Sequence, residues 1–321
     1  MPVSLAQARL NTQDDLDMMV IDEFRRSSAL VDNLVFHDAV NPSGGGSTLT
    51  YGYHRVETPR AAAFRAINTE YTPAEATKVR YTVDLKPLGG SFEIDRVLAQ
   101  VAAGAEVAFQ MEQLIRATTQ KFNDEVINGD TAVDANGFDG LNKALTGSST
   151  EYNPGGVDWT NLDAGYHSAL DHLDTFLSLL DGPATMIMAN SRAIAKIVAI
   201  ARRANQYVER PVDNLTGPMG QPIVRQFYGS TLLVDLGDKP GTANPIIPID
   251  SSDGTTDIYA VRVGLDGFHG VSVSGQPLVN TWLPDFGEAG AVKKGEVEMG
   301  PVAVALKATK AAAVFRGVKV Q

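Results

Sequence analysis

One stretch, residues 103–128, constrains the fold more than any other part of the chain. It reads AGAEVAFQMEQLIRATTQKFNDEVIN, contains no proline and consists mostly of good helix formers. Its apolar residues recur three, four or seven positions apart and share one helical face. These residues are Val107, Met111, Leu114, Ile115, Phe122 and Val126. Such a helix would reach roughly 39 Å, whereas helices in globular domains average ~12 residues. We therefore predict a structural beam, which the turn-rich sequence after it brings to an end.

The composition indicates a folded protein without membrane or disulfide chemistry. The chain has 321 residues, 44% of them hydrophobic, and no cysteine. This length is enough for two domains, and the lack of cysteine excludes disulfides, thiolate metal sites and a cysteine nucleophile. No apolar run approaches the ~20 residues that cross a bilayer, and acidic residues lie where a secretion signal would be basic. We expect synthesis in a cytosol and no membrane contact.

The charge balance argues against specific nucleic-acid binding. The formal net charge is −11, from 38 acidic residues against 27 lysines and arginines. Nucleic-acid binders usually carry a basic stripe, and the nearest case here, Arg202–Arg203, is interpreted as part of a solvated helix face. Excess negative charge repels phosphate. Any contact with DNA is therefore expected to be weak and independent of sequence.

The first forty residues have little that could build a globular core. Leu16, Val20 and Phe24 recur at four-residue steps and predict a partly helical segment, although acidic residues crowd the same stretch. Residues 42–47 then read Pro-Ser-Gly-Gly-Gly-Ser, which favours a flexible joint. A phosphate-binding loop is not indicated, because no Gly-Lys-Ser/Thr follows the glycines.

An extended ribbon is predicted after this joint. Apolar and polar residues alternate from residue 48 onward, and a second extended run, Ile67–Thr72, is expected to return antiparallel to the first. A two-stranded ribbon is marginally stable alone, so we expect another copy of the chain to cover it; the alternative is a disordered surface loop. The candidate inter-subunit contact residues are Leu49, Tyr51, Tyr53, Arg55, Arg60, Arg65 and Tyr71.

Residues 79–85 form the clearest period-two strand, with one face expected to be buried and one wet. The sequence Pro-Leu-Gly-Gly at 87–90 predicts a turn after it. The last strands, Val302–Leu306 and Ala312–Val320, are expected to return and pair with residues 79–85. The end of the chain would then complete the first module.

The second half predicts a compact α+β module. An amphipathic helix is expected over residues 161–181, capped by Thr160 or Asn161, and another helix begins after a cap at Asn190 or Ser191. The predicted strands are Thr185–Ala189, Ile223–Phe227, Thr231–Val234 and Ile258–Val263.

Catalytic and metal-binding patterns are weak. The chain has no Gly-x-Ser-x-Gly motif, and His167 and His172 are five residues apart, unlike the zinc-binding i, i+4 pair. The acidic stretches 130–139 and 250–257 lack the ligand spacing and terminal glutamate of a calcium-binding EF-hand loop. We predict ordinary turns there, with no catalytic residue, cofactor or metal.

Taken in order, these segments resemble the major capsid proteins of tailed bacteriophages, which have the Hong Kong 97-type fold. The most specific similarity follows the long helix, where residues 128–130 read Asn-Gly-Asp and residues 137–141 read Gly-Phe-Asp-Gly-Leu. The resemblance implies an α+β fold with five parts. These are an N-terminal arm (1–43), an extended β-hairpin loop (44–76), a peripheral domain (77–154) with spine helix 103–128, an axial domain (155–292), and returning peripheral strands (293–321).

The resemblance also implies a function. It implies a non-enzymatic protein that self-assembles into hexamers and pentamers, forming the icosahedral head around the double-stranded DNA genome of a tailed phage. The implied location is the virion, with assembly in the host cytoplasm. Implied partners are a portal protein, a separate scaffolding protein, a decoration protein and packaged DNA without sequence-specific contact; no covalent cross-link is expected. The alternatives are an encapsulin nanocompartment shell, another phage structural component and, from a different class, a soluble hydrolase or metalloenzyme.

Overall fold

The structure is a computed structural model. It describes residues 28–40, 49–58, 60–73, 75–101, 105–163, 165–205, 207–216, 222–275, 277–287 and 289–321. The predicted helical start around Leu16, Val20 and Phe24 and the joint at residues 42–47 lie outside the described residues. Among the described residues, no helix is both long and apolar enough to cross a bilayer.

The described chain contains both helices and strands, with most of the strands in its second half. The helices are α1 (Ala29–Asn33), α2 (Arg96–Val101), α3 (Ala105–Asn128), α4 (Leu141–Leu145), α5 (Tyr166–Ser178) and α6 (Ser191–Arg203). The strands up to the end of α6 are β1 (Phe36–Val40), β2 (Thr50–Thr58), β3 (Thr77–Asp84), β4 (Lys86–Asp95), β5 (Glu151–Tyr152) and β6 (Met186–Met188). The later strands are β7 (Tyr207–Thr216), β8 (Pro222–Tyr228), β9 (Thr231–Val234), β10 (Thr255–Val261), β11 (Phe268–Val273), β12 (Val279–Trp282), β13 (Val292–Leu306) and β14 (Ala312–Lys319).

The predicted long helix is confirmed as α3. Its C-terminal half carries the fully buried Phe122 and Val126. The turn after it depends on close backbone contact, because the amide of Gly140 donates to the carbonyl of Gly129 at 2.8 Å. A Cβ at Gly140 would lie 2.6 Å from the carbonyl oxygen of Glu125. Glycine is therefore required where this turn folds back on the helix end.

The first sheet is organised by β13. Its strand order is β1-β11-β13-β12, and β4 pairs with β13 as well. The predicted turn at residues 87–90 is wrong, because these residues lie inside β4. A Cβ at Gly89 would lie 2.3 Å from the Val297 carbonyl oxygen, and one at Gly90 would lie 2.7 Å from the Leu114 side chain of α3. The two glycines thus allow the strand to approach its neighbour and the helix closely.

The second sheet has the order β5-β14-β10-β6-β9-β8-β7. The predicted strand around β6 is confirmed, and so is the helix after it, because the Asn190 side chain caps α6 by accepting from the Arg192 amide at 3.0 Å. Helix α5 begins at Tyr166, later than predicted. The side chains of Asp158 and Asn161 accept from backbone amides two residues on, at 2.7 and 3.2 Å. These local turns displace the helix start.

The predicted pairing of the terminal strands with residues 79–85 is wrong. Residues 302–306 lie in β13, which pairs with β4, β11 and β12. Strand β14 lies between β5 and β10 in the second sheet. Residues 312–315 are all fully buried, and such a strand needs neighbours on both edges and cover on both faces. Strand β3 is exposed, so pairing with it would give residues 312–315 neither the second neighbouring strand nor the cover that they need.

Candidate inter-subunit surface

Strands β2 and β3 form a two-stranded antiparallel sheet. Its register pairs Tyr53 with Tyr81, and the two rings stack with their centroids 5.9 Å apart. The guanidinium carbon of Arg55 lies 4.4 Å from the Tyr81 ring centroid. Cross-strand aromatic and cation–π contacts of this kind stabilise a hairpin. The predicted strand before the loop is therefore confirmed.

The return strand of this hairpin differs from the prediction. Residues 77–84 return, whereas Ile67–Thr72 adopts no regular structure. Asn68 has a φ of 65°, in the left-handed region, which interrupts any extended run. The expected buried face of residues 79–85 is confirmed only in part: Leu85 is buried and Val83 half-buried, whereas Tyr81 remains 41% exposed. A two-stranded sheet has no second layer of its own to cover such a face.

Three candidate contact residues lie at the base of the hairpin and contact their own chain. Tyr51 and Tyr53 are buried there. Arg55 donates from Nε to the carbonyl oxygen of Leu306 at 3.0 Å. Burial raises the pKa of the Tyr53 phenol, against the opposing effect of the Arg55 charge. These side chains therefore anchor the hairpin, and their contact with another subunit stays a prediction.

The remaining candidates are exposed. Leu49 precedes β2, and Arg60, Arg65 and Tyr71 lie in the loop between the two strands. The Arg65 guanidinium carbon lies 5.2 Å from the Tyr71 ring centroid, and Arg65 Nη1 donates to the carbonyl oxygen of Thr69 at 3.1 Å. The loop thus presents an ordered pair of a basic and an aromatic side chain to solvent.

Sequence reasoning missed two further exposed residues in this loop. Phe64 is fully exposed and Ile67 nearly so. Burying a large apolar side chain is worth about 1.5–3 kcal/mol, so this loop loses stabilisation that a partner could restore. The available signal was the presence of large apolar residues in a run without helix or strand periodicity. We define the tip surface as Arg60, Phe64, Arg65, Ile67 and Tyr71.

A second exposed surface lies on the first sheet. Strands β4 and β13 pack against α3 on one face, where Phe92, Ile94 and Val297 point, and β12 extends the sheet by pairing with β13. The opposite face is exposed to solvent. Its charged residues lie opposite one another on neighbouring strands or two residues apart along the same strand. We define this acidic sheet face as Glu93, Asp95, Lys294, Glu296 and Glu298. It carries more negative than positive charge.

The acidic turn after α3 is held by a lysine. Lys143 Nζ lies 2.6 Å from Asp130 Oδ1 and 2.8 Å from Asp139 Oδ1. Its hydrogen bond holds the pKa of Asp130 below the ordinary value. Asp134 Oδ1 accepts from the amide of Asn136 at 2.9 Å. These contacts give the carboxylates of the turn a structural role.

Other residues considered for chemistry also have structural partners. His172 Nδ1 lies 2.8 Å from the Tyr152 hydroxyl, and Asp250 accepts from the amide and hydroxyl of Ser252. Arg203 pairs with Asp163 at 2.9 Å. In the part of the chain that the structure describes, no three histidine or acidic side chains are grouped to hold a metal ion.

The sequence gives no match to a known family, whereas the fold does. No protein-family model and no curated protein matches the chain in sequence. The holo-SrpI encapsulin complex from Synechococcus elongatus PCC 7942 matches with a TM-score of 0.61 at 15% identity, over 100% of this chain and 97% of that chain. The capsid of a native GTA particle matches with a TM-score of 0.59 at 14% identity, over 99% of each chain.

A tailed-phage capsid gives a similar result. The capsid of Myoviridae phage XM1 matches with a TM-score of 0.57 at 12% identity, over 98% of this chain and 99% of that chain. The agreement spans nearly the full length of both chains in all three comparisons. The chain therefore has the mixed α+β fold of capsid and encapsulin proteins, which confirms the resemblance inferred from its segments.

Proposed function

We propose that this chain is the major capsid protein of a tailed phage, a structural protein without catalytic activity. It assembles into hexamers and pentamers that form an icosahedral head around double-stranded DNA. The observation that carries this proposal is the fold match to phage and GTA capsids over nearly the whole of both chains.

The finer parts of the proposal follow the resemblance. We assign residues 1–43 to an N-terminal arm, 44–76 to the extended loop, 77–154 to the peripheral domain, 155–292 to the axial domain and 293–321 to returning peripheral strands. A portal protein, a separate scaffolding protein and a decoration protein are proposed as partners. Assembly takes place in the host cytoplasm, and the acidic chain meets packaged DNA without reading its sequence.

The hairpin supplies the contact between subunits in this proposal. Its base is anchored by its own chain, while the tip surface carries three exposed apolar side chains and two arginines. The acidic sheet face offers a complementary charge on an open sheet. We therefore propose that the tip surface of one copy lies on the acidic sheet face of its neighbour. Complementary charge guides such docking and fixes its register.

Charge exchange tests this contact directly. The double variant R60E/R65E should fail to form shells, and so should E296R/E298R, because each places like charges together. Combining all four substitutions should restore shells visible by electron microscopy. The control R202E/K310E changes the net charge by the same amount as R60E/R65E, at exposed positions outside both surfaces. Normal shells from R60E/R65E, or no recovery in the combined variant, would reject the pairing of these surfaces.

An encapsulin shell is the second candidate function. The observation that favours it is the fold match to the encapsulin complex, with a TM-score of 0.61. Both candidates predict closed particles, so shell formation alone does not separate them. Particles purified from the source should hold nuclease-protected DNA if the chain is a capsid protein. Particles that hold a protein cargo and no DNA would instead support the compartment. A chain that stays monomeric at high concentration would contradict both.

A further inference from the structure

Three aromatic rings meet where the base of the hairpin contacts the first sheet. They belong to His37 on β1, Tyr51 on β2 and His269 on β11. The ring centroids are 5.9 Å apart for His37 and Tyr51, 6.0 Å for Tyr51 and His269, and 6.0 Å for the two histidines. Tyr51 meets both histidines edge-on, at 88° and 90°. We define these three residues as the hinge cluster.

The histidines of the hinge cluster have unmet hydrogen-bonding capacity. His269 is completely buried, and neither of its ring nitrogens makes a well-formed hydrogen bond among the described residues, although the nearby backbone of Gly267 favours its protonated form. Nδ1 of His37 is likewise buried without a hydrogen-bond partner among the described residues. A neutral imidazole has one N–H donor, whereas a protonated imidazole has two and a positive charge. Protonation would therefore add a charge and another unmet donor to a buried site, which is costly.

The surroundings of His269 favour its neutral form. Burial lowers the pKa of His269 to about 4, and the charges of Lys307 and His37 act in the same direction. The carbonyl of Gly267 and the carboxylate of Asp266 oppose this effect. Lys307 Nζ lies 5.6 Å from the Tyr51 ring centroid. A proton on either histidine would therefore place a second positive charge near that of Lys307, close to the hairpin base.

The other polar groups near the cluster are already engaged. Asp38 on β1 accepts from the Ser272 hydroxyl of β11 at 2.6 Å. Arg55 on β2 is bound to the Leu306 carbonyl, and Asp266 lies 2.9 Å from Arg262. None of these contacts includes an imidazole nitrogen, so a proton taken up by the cluster would be neutralised only after rearrangement. The simplest rearrangement separates Tyr51 from the two histidines.

We propose that the hinge cluster is a proton-sensitive hinge. It holds the hairpin base against β1 and β11 while His269 is neutral, and it releases the base when His269 is protonated in acid. This inference deepens the proposed function, because a released hairpin would alter the reach of the tip surface. The hinge itself is a property of the single chain and does not depend on shell assembly.

Hydrogen exchange of the unassembled chain tests the hinge. Because the folded-state pKa lies below the ordinary value of about 6.5, the closed form is fully favoured above pH 6.5 and loses that advantage as the pH falls towards 4. A difference of about 2.5 pKa units corresponds to at most a 300-fold change in the opening equilibrium. Protection in β2 and β3, corrected for intrinsic exchange rates, should fall by about 10- to 100-fold from pH 7 to pH 4. Protection in β10 and β14 should change much less.

A matched pair of variants identifies the responsible group. His269→Phe keeps an aromatic ring and cannot take up a proton, so it should reduce the pH-dependent loss in β2 and β3 to about threefold or less. His167→Phe, at an exposed position on α5, should behave as the unmodified chain. Equal losses in the unmodified chain and in His269→Phe would overturn the proposal, as would hairpin protection that does not change with pH.

A second measurement needs no variant and keeps the test decisive if His269→Phe fails to fold. The imidazole resonances of the unmodified chain can be followed by NMR between pH 7 and pH 3.5. The midpoint for His269 should lie near pH 4, where the loss of protection in β2 and β3 levels off. A His269 titration near pH 6.5, or hairpin protection that starts to fall only below the His269 midpoint, would overturn the hinge. Failure of shell assembly would leave this result unaffected.

Discussion

Replacing Arg316 with alanine is expected to destabilise the second sheet by about 2–4 kcal/mol. This side chain on β14 joins several elements that are far apart in sequence. Its Nε lies 2.9 Å from Glu151 Oε1, and its Nη1 lies 2.7 Å from Asp257 Oδ2 and 2.6 Å from Asn142 Oδ1. Its Nη2 donates to the Thr146 hydroxyl at 3.0 Å. One guanidinium thereby connects β5, β10 and α4 to β14.

The magnitude follows from the partners and their exposure. Hydrogen bonds to charged groups contribute about 1.5–3 kcal/mol, and breaking a fully buried ion pair costs about 3–5 kcal/mol. The side chains of Glu151 and Asp257 remain 24% and 32% exposed, so water replaces part of what is lost. The amide of Gly147 is the main cause of the lowered pKa of Glu151, against burial and together with Arg316. Glu151 therefore keeps one of its bonds in the variant.

Urea unfolding of the unassembled chain at neutral pH measures this loss. Trp159 is a suitable fluorescent reporter, since its ring centroid lies 5.8 Å from that of the buried Phe315 on β14. R192A is the matched control, because the exposed Arg192 donates a hydrogen bond to the exposed Gln321 side chain and should lose less than about 0.5 kcal/mol. R316K should fall between the two, because lysine keeps the charge without the planar fork. A loss below about 1 kcal/mol for R316A would refute the reasoning.

Three other predictions concern the long helix, the tip and the acidic turn. A117P should destabilise the folded chain by about 3 kcal/mol or more, measured by thermal unfolding, because it removes a hydrogen bond within α3; an unchanged melting temperature would contradict the helix. Replacing residues 59–76 with Asn-Gly should leave a folded chain that forms no shells, because Thr58 and Thr77 are paired and a two-residue turn can join them. Normal shells would show that the tip surface is not required for assembly. K143M should raise the pKa of Asp130 towards its ordinary value in an NMR titration, with no change expected in K310M.

The elements that the sequence predicted well are those fixed by local signals. Helix α3 was recognised from its period, and α6 from its period together with the cap at Asn190. Strand β9 matches its predicted bounds, Thr231–Val234, because apolar or β-branched residues fill a short run and all of them are buried. In each case the residues that decide the structure lie within a few positions of one another.

The errors occurred where the deciding contact is distant in sequence. Alternation identified residues 79–85 as extended but could not name their partner, which is β2. Gly89 and Gly90 were interpreted as part of a turn, because glycine pairs favour turns locally. The strand and the helix that require glycine at these positions lie elsewhere in the chain. The contact of Tyr51 with His269 in its own chain was missed for the same reason, because the two residues are more than two hundred positions apart.

The base and the tip of the hairpin therefore differ in the contacts that stabilise them. Its base is completed within one chain, by the hinge cluster and by Arg55, whereas the tip surface exposes apolar side chains that gain stability only against another surface. The tip surface and the acidic sheet face are different parts of the same molecule. A contact between them is consequently head-to-tail, and such contacts form closed rings when the rotation between neighbours divides a full turn. The proposed hinge cluster lies at the base of the hairpin, so a movement there would shift the tip surface relative to the neighbouring copy on which it is proposed to lie.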